Sequence, residues 1–255
     1  GVRKQVALEN LRRAFPDCDF ARRYRVANGC YRFYARAAVE WLKTDDVLEK
    51  YRIKTNGVER LEKYTESGAV VAAGHIGYWE LTGVLLARSF GEIYVYADQQ
   101  SNPYSQGLID RMRQKYNIFT YSSASGVRRL VKVLKSGGLV GVVGDQRPRG
   151  KSLYIPFFNR YVQNTRIPAL LTRSTGAPVL PVFSVRTAPE EITMFVEPPL
   201  ETSLKPREKQ DGVELLREYN SVLERYIREY PRQYFWLHRR WKGARGPSSV
   251  GDNDG

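Results

Sequence analysis

The stretch "AVVAAGHIGYWEL", residues 69–81, decides the fold. Its first six residues are small and apolar, have the length of a buried strand and end in glycine. A second apolar run begins a few residues later, so we interpret 69–74 as a strand and 80–89 as the helix that follows it. His75, one of only two histidines in the chain, falls between the two. Functional groups of open α/β sheets gather at the carboxyl ends of strands, so this segment also predicts a site.

The same alternation of apolar runs and helix-length segments continues along the chain. Further strands are predicted at 92–98, 138–145, 177–185 and 192–200. Further helices are predicted at 2–14, 20–43, 104–116, 126–136, 165–175 and about 212–229. This order is typical of an α/β fold: a central mixed, mostly parallel sheet flanked by helices, with antiparallel strands late in the chain and a helical N-terminal segment.

We expect a single domain over residues 1–242, of which 1–65 are mainly helical. Residues 243–255, "GARGPSSVGDNDG", are rich in glycine and serine and are expected to form a flexible tail. No apolar run approaches the roughly 20 residues that cross a bilayer. The chain lacks an initiator methionine, so we expect that an upstream membrane anchor is missing.

The charge balance indicates an anionic partner. The chain has 41 Lys and Arg against 27 Asp and Glu residues, a formal net charge of +14. Nucleic acid, an anionic lipid surface and a small acidic protein all fit this excess. Cys18 and Cys30 form no CxxC pair and have no histidine nearby, which excludes a zinc site and leaves two buried free thiols in a reducing compartment.

His75 and Glu80 are the candidate proton-transfer pair. On one continuous helix a five-residue step turns about 140°, so the two side chains would not share a face. If His75 lies in the turn, however, Glu80 can fold back and fix the imidazole tautomer, which leaves the other nitrogen free to take a proton. The alternative is a histidine satisfied by backbone groups. GxSxG, GxxxxGK[ST] and GxGxxG motifs are absent, so a base acting on a substrate hydroxyl is the simplest chemistry.

"GHIGYWEL", residues 74–81, resembles the H-x4-[DE] motif of the bacterial lipid A biosynthesis acyltransferases, the late lauroyl and myristoyl transferases of the wider glycerolipid acyltransferase group. Five further segments are similar to that family and occur in the expected order: "ENLRRAFPD" (9–17), "SNPYSQGLIDRMR" (101–113), "GDQRPRGKSLYIPFF" (144–158), "ALLTRSTGAPVLPVF" (169–183) and "YPRQYFWLHRRWK" (230–242). A motif set that spans residues 9–242 is far more specific than any one of its members.

The resemblance implies acyl transfer from a thioester, on acyl carrier protein or coenzyme A, to a hydroxyl of a lipid A precursor. His75 would be the general base and Glu80 its orienting partner. The family's essential arginine falls on Arg111 or Arg113; we prefer Arg111, as a donor to the carbonyl oxygen that becomes negatively charged. Asp145 corresponds to a functional aspartate that positions the acceptor or the arginine.

The resemblance also implies a set of substrate-binding residues, with no metal and no cofactor beyond the acyl donor: Tyr78, Trp79, Asn102, Arg113, Gln146 and Arg147. Two departures leave the acceptor open. Tyr78 stands where the family often has asparagine, and Arg147 stands where an acidic residue often follows. Another glycolipid, such as a phosphatidylinositol mannoside, is therefore an alternative acceptor.

The implied setting is a monomer at the cytoplasmic face of the bacterial inner membrane, without nucleic acid. Segments 20–43 and 151–166 mix arginine or lysine with aromatic residues, a composition suited to a bilayer interface. A nucleic-acid-binding module is the main rival because it would also explain the charge, but it gives no reason for the spacing of His75 and Glu80. A thioesterase that uses water in place of the lipid acceptor is a second rival.

Overall fold

The computed structural model describes residues 3–148, 150–201 and 212–246. The helices are α1 (Lys4–Ala14), α2 (Phe20–Leu42), α3 (Thr44–Lys50), α4 (Glu59–Glu62), α5 (Trp79–Phe90), α6 (Pro103–Lys115), α7 (Ser123–Lys135), α8 (Ile167–Thr175) and α9 (Val213–Glu229), followed by a 3₁₀ turn at Pro231–Gln233. The strands are β1 (Arg52–Asn56), β2 (Ala69–Ala73), β3 (Ile93–Tyr96), β4 (Ile118–Tyr121), β5 (Leu139–Val143), β6 (Ser152–Phe157), β7 (Arg160–Thr165), β8 (Val179–Ala188) and β9 (Glu191–Val196).

Seven of these strands form one sheet in the order β1-β9-β8-β2-β5-β3-β4. All neighbouring pairs are parallel except β8 and β9, which pair antiparallel. The two remaining strands, β6 and β7, form a separate antiparallel hairpin. The predicted mixed, mostly parallel sheet with late antiparallel pairing is therefore confirmed.

Strand β2 lies at the centre of the sheet and is buried along its whole length. Because successive side chains of a strand point to opposite faces, Val70 and Ala72 enter one apolar layer, whereas Ala69 and Val71 enter the other. The first layer contains side chains of α1, α7, α8 and α9, and the second contains side chains of α5 and β9. Helices thus cover both faces, as parallel strands require.

Four strands escape the sequence analysis, and each has a physical reason. β1 is an edge strand of mostly exposed polar residues, and β4 has only four residues. The hairpin β6–β7 contradicts the expectation that this segment inserts its aromatic side chains into lipid. Phe157 and Phe158 are 0% and 2% exposed and pack against Trp241, so the aromatic pair belongs to the core.

The packed chain extends past the expected boundary at residue 242. Arg245 and Tyr161 exchange two backbone hydrogen bonds of 2.9 and 3.1 Å, which attach this segment to β7. Residues 247–255 of the expected tail lie outside the described residues. Cys18 and Cys30 are both free thiols, but only Cys30 is buried. None of the helices in the described ranges has the length and hydropathy needed to span a bilayer.

Candidate active site

The turn between β2 and α5 is fixed by backbone contacts on both sides. Gly77 adopts a φ of 59°, and a Cβ atom there would collide with the carbonyl of Ser184. The amide of Gly77 donates to the carbonyl of Gln233 at 2.8 Å, and the amide of Phe235 donates to the carbonyl of His75 at 2.9 Å. Glycine is required here because other residues rarely adopt this φ and none would fit. The turn therefore presents His75 in one backbone geometry.

The register of the sheet brings His75 to Asp145. Strands β2 and β5 pair in parallel with Ala73 opposite Val143, so the residues two positions further on, His75 and Asp145, meet at the same edge. Nδ1 of His75 lies 2.6 Å from Oδ1 of Asp145. Within the described ranges, Nε2 of His75 has no protein partner, and the side chain is 19% exposed. Such a pair fixes the tautomer and leaves Nε2 available for proton transfer.

Asp145 is held as a carboxylate inside the protein, where it is 1% exposed. Burial raises the pKa of Asp145, but the charge and hydrogen bond of His75, together with the charge of Arg240, outweigh burial and bring it below its usual value. Arg240 is itself 2% exposed and donates to Oδ1 of Asn164 at 2.7 Å. A carboxylate that stays ionised next to an imidazole stabilises the imidazolium form when the imidazole takes a proton.

Glu80 does not contact the imidazole, which corrects the expectation that it orients His75. Its two carboxylate oxygens accept bonds of 3.0 and 2.7 Å from Nε and Nη2 of Arg113. Nη1 of Arg113 also donates to Oγ1 of Thr120 at 3.0 Å. Because Glu80 lies in the first turn of α5, its side chain reaches α6 more readily than it folds back across the turn. In this structure Glu80 is the ion-pair partner of Arg113.

Helix α6 settles which of the two arginines faces the site. Arg111 and Arg113 are two residues apart, a rotation of about 200°, so the helix can present only one of them. Arg113 lines the cavity beside His75, whereas Arg111 is exposed on the outer face. The placement therefore favours Arg113 over Arg111, the residue preferred from the sequence. Asn102 is also displaced from its expected role: it caps α6 by accepting from the amides of Tyr104 and Ser105 at 2.9 and 3.2 Å.

Tyr78 points away from the site, contrary to the expectation that it binds substrate. It is 5% exposed and donates from its hydroxyl to Oε2 of Glu40 at 2.6 Å. Arg186 completes this cluster with bonds to both carboxylate oxygens of Glu40 and to the Tyr78 hydroxyl. Tyr78 is the residue before α5, so it anchors the start of that helix to α2 and β8.

A cavity of about 860 Å³ opens beside His75. Of the expected substrate-binding residues, Trp79, Arg113, Gln146 and Arg147 line it. The ring of Trp79 lies 5.0 Å from the imidazole of His75. An apolar part of the lining is formed by Trp79, Ile109, Val142, Val143, Leu170 and Phe235. The cavity is large enough for a drug-sized ligand, and it combines apolar walls with a few polar groups.

The rest of the lining is strongly cationic. Six basic residues line the described part of the cavity: Arg3, Arg113, Arg147, Lys151, Arg166 and Arg173. The acidic side chains in the same lining are Glu80 and Asp98, and Glu80 forms an ion pair with Arg113. The surplus is therefore four positive charges, which favours an anionic ligand. The sequence analysis named two of these basic residues and missed the other four. The missed residues lie at or next to α1, the hairpin and α8, which are distant from one another in the sequence.

His238, the second histidine of the chain, also lines the cavity. The described residues contain no group of three or more His, Cys, Asp or Glu side chains arranged to bind a metal ion. The functional groups at this site are therefore an imidazole with a buried carboxylate, a fixed guanidinium and a second imidazole.

An imidazole–carboxylate pair therefore lies beside a large, partly apolar cavity at the carboxyl edge of an α/β sheet. Residues 1–243 match the family model of the bacterial lipid A biosynthesis acyltransferases. The chain belongs to this family, and it is an acyltransferase of the lipid A biosynthesis type. The family predicted from the six sequence segments is confirmed.

The chain is similar to several individual relatives. It is 26% identical over 252 residues to the lipid A biosynthesis palmitoleoyltransferase of Escherichia coli (strain K12), a match that covers 94% of this chain and 79% of the relative. It is 24% identical over 248 residues to a lipid A biosynthesis acyltransferase of Haemophilus influenzae, with 94% and 78% covered. A solved structure, the 1-acyl-sn-glycerophosphate acyltransferase of Thermotoga maritima, aligns over 87% of both chains with a TM-score of 0.43 and 17% identity.

Proposed function

We propose that this protein transfers a fatty acyl chain from an acyl thioester to a hydroxyl of a lipid A precursor, with His75 as the general base. One observation carries the proposal: the Nδ1 atom of His75 lies 2.6 Å from a buried carboxylate, while Nε2 has no partner among the described residues and His75 lines the cavity. The membership of the chain in the lipid A acyltransferase family supports the reaction class and the acceptor.

In the proposed reaction, the acceptor hydroxyl gives its proton to Nε2 of His75 as its oxygen attacks the thioester carbonyl carbon. The new imidazolium is stabilised by the carboxylate of Asp145. When the carbon–sulfur bond breaks, the same proton passes from His75 to the leaving thiolate, and an ester and a thiol are released. General base catalysis of this kind contributes typically about 10²–10⁴-fold.

Arg113 supplies a fixed positive charge near the reacting groups. Attack on the carbonyl places negative charge on its oxygen, and a preorganised cation lowers the energy of that state. The guanidinium is 13% exposed and is held at three of its atoms by Glu80 and Thr120, so it does not need to reorganise during the reaction. In this proposal Glu80 acts through Arg113.

The charge of the cavity supports an anionic glycolipid acceptor. The surplus of four positive charges is suited to phosphate groups, which arginine and lysine bind readily. Of the two departures from the family pattern, Tyr78 lies outside the cavity and has no bearing on the acceptor. Arg147 does line the cavity and adds to its positive charge. The apolar lining supports a place for the acyl chain, which acyl carrier protein or coenzyme A would deliver.

Helix α2 supports peripheral binding to an anionic membrane, which we place at the cytoplasmic face of the inner membrane. Its exposed side carries Arg25, Arg32 and Arg36 together with Val39 and Leu42, of which the last two are 55% and 53% exposed. Basic residues near an anionic leaflet contribute about 1 kcal/mol each, and exposed apolar groups add burial in the interface.

The test is mass spectrometry of the lipids formed from a phosphorylated lipid A precursor and an acyl thioester, supplied on acyl carrier protein or on coenzyme A. We expect one added acyl chain on the precursor with wild-type protein and none with His75→Ala. The thermal unfolding midpoint of His75→Ala should stay close to that of wild type. Thioester consumption at the same rate with and without the precursor would instead indicate a hydrolase and contradict the proposal.

A further inference from the structure

His238 lies in the last part of the described chain on a rigid backbone. Its carbonyl accepts hydrogen bonds from Nδ2 of Asn10 at 2.6 Å and from the amide of Arg240 at 2.8 Å. Trp236 and Trp241, on either side of it in the sequence, are 0% and 1% exposed. The backbone of His238 is therefore fixed by α1 and by buried aromatic residues, and His238 lines the same cavity as His75.

The two ring nitrogens of His238 have different surroundings. Nδ1 is buried and has no hydrogen-bond partner in the described residues. Nε2 is not one of the buried atoms that lack a partner, and no described group forms a hydrogen bond with it. Because His238 lines the cavity, we take Nε2 as the ring nitrogen on the cavity side. An orphaned buried N–H is rarer than an orphaned acceptor. The proton of the neutral ring accordingly belongs on Nε2, where it can be donated to a ligand.

The ring of His238 stays neutral in the working pH range. Burial, with smaller contributions from the charges of His75 and Arg240, lowers its pKa to about 4 against the opposing effect of Asp145. Backbone contacts join the two histidine segments: the amide of Phe235 donates to the carbonyl of His75 at 2.9 Å, and the amide of His238 donates to the carbonyl of Phe235 at 3.4 Å. A neutral imidazole remains a hydrogen-bond donor without competing with His75 for the proton.

We propose that His238 is a second catalytic residue, whose Nε2–H donates a hydrogen bond to the thioester carbonyl oxygen when the acceptor attacks. This inference rests on the proposed acyl transfer. The carbonyl π electrons move to the oxygen as the new carbon–oxygen bond forms, and the hydroxyl proton goes to His75. The hydrogen bond from His238 strengthens at that moment, beside the positive charge of Arg113. When the carbonyl reforms, the carbon–sulfur bond breaks and His75 protonates the thiolate.

The kinetic test compares His238→Phe with His238→Gln, using the precursor and acyl thioester of the previous assay. Phenylalanine fills the space without a donor, and glutamine keeps an N–H in a similar place. Loss of one such donor costs about 10²–10³-fold in kcat, so we expect that loss for His238→Phe with KM unchanged, and a much smaller loss for His238→Gln. A wild-type kcat for His238→Phe, an effect confined to KM, or equal losses in both variants would overturn the inference.

The outcomes separate this inference from the proposed function. Wild-type protein that forms no acylated lipid would overturn the proposed function and this inference together, whereas an active wild type with an unaffected His238→Phe variant would overturn the inference alone. A second measurement does not depend on the folding of any variant. ¹⁵N NMR of histidine-labelled wild-type protein should show His238 with its proton on Nε2, and a proton on Nδ1 would contradict the assignment.

Discussion

Replacement of Asp145 by asparagine removes the negative charge that lies beside the imidazole and keeps nearly the same side-chain shape. The carboxylate contacts Nδ1 of His75 at 2.6 Å and is 1% exposed, so water screens the interaction little. Asparagine has nearly the same shape, and its amide oxygen can still accept from Nδ1–H. The change therefore removes the charge that stabilises the imidazolium, together with the charge that Asp145 presents to Arg240.

The size of the effect follows from the geometry. Two unit charges about 4 Å apart attract by about 4 kcal/mol at an effective dielectric constant of about 20. If between half and all of this attraction is present in the transition state, its loss in Asp145→Asn raises the activation barrier by about 2 to 4 kcal/mol. This corresponds to a decrease in kcat of about 30-fold to about 10³-fold. KM should change little, because the acceptor and donor contact other residues.

The assay is the initial rate of acyl transfer for wild type, Asp145→Asn, His75→Ala and the double variant, with thermal unfolding of each as a control. Residues that act as one unit give non-additive effects. We therefore expect the double variant to be no slower than His75→Ala alone. The reasoning is refuted if Asp145→Asn has the wild-type kcat, or if it slows His75→Ala as much as it slows the wild-type protein.

The remaining predictions concern the arginine pair, the buried cluster and acid stability. Arg113→Ala should lower kcat by about 10²-fold or more through loss of a fixed cation, whereas Arg111→Ala should leave kcat near wild type in the same assay; the reverse order would contradict the placement of α6. Tyr78→Phe should lower the free energy of unfolding by about 1–3 kcal/mol, because Glu40 loses a buried donor, with kcat nearly unchanged; chemical denaturation checks this. The pKa of His238 is lowered to about 4 in the folded state. Between that pH and the ordinary pKa of histidine, the unfolded chain therefore binds more protons than the folded protein. The free energy of unfolding should rise with pH across this window by at most about 1.4 kcal/mol per pH unit. Acid unfolding of His238→Gln should lack this contribution, and an identical pH dependence in both proteins would contradict it.

Much of the fold was predictable because its central strands are apolar and bounded by glycine or proline. The strand at 69–73 and the helix after it occur within one residue of the prediction. The strands that were missed depend on tertiary contacts. β1 is mostly polar and exposed and is held at the sheet edge by β9, and β6 and β7 are recognisable as strands only from their pairing with each other.

The sequence predicted where His75 lies in the fold, but not which side chain contacts it. His75 was assigned the right location because a strand end is visible in the sequence. Glu80 was chosen as its partner because it is near in sequence, whereas Asp145 reaches the imidazole through the pairing of β2 with β5, which local sequence does not specify. In the same way, the choice between Arg111 and Arg113 depends on the rotation of α6 about its axis. The family motif identifies all these residues but not which of them touch each other.

The most direct test of the central claim is ¹⁵N NMR of histidine-labelled protein, because the chain contains only two histidines and His238→Gln assigns their signals. The account predicts a strongly hydrogen-bonded Nδ1–H on His75 in wild type. This signal should be kept in Glu80→Gln and lost or shifted far upfield in Asp145→Asn. A His75 signal that responds to Glu80→Gln and ignores Asp145→Asn would contradict the pairing of His75 with Asp145 on which the proposed mechanism depends.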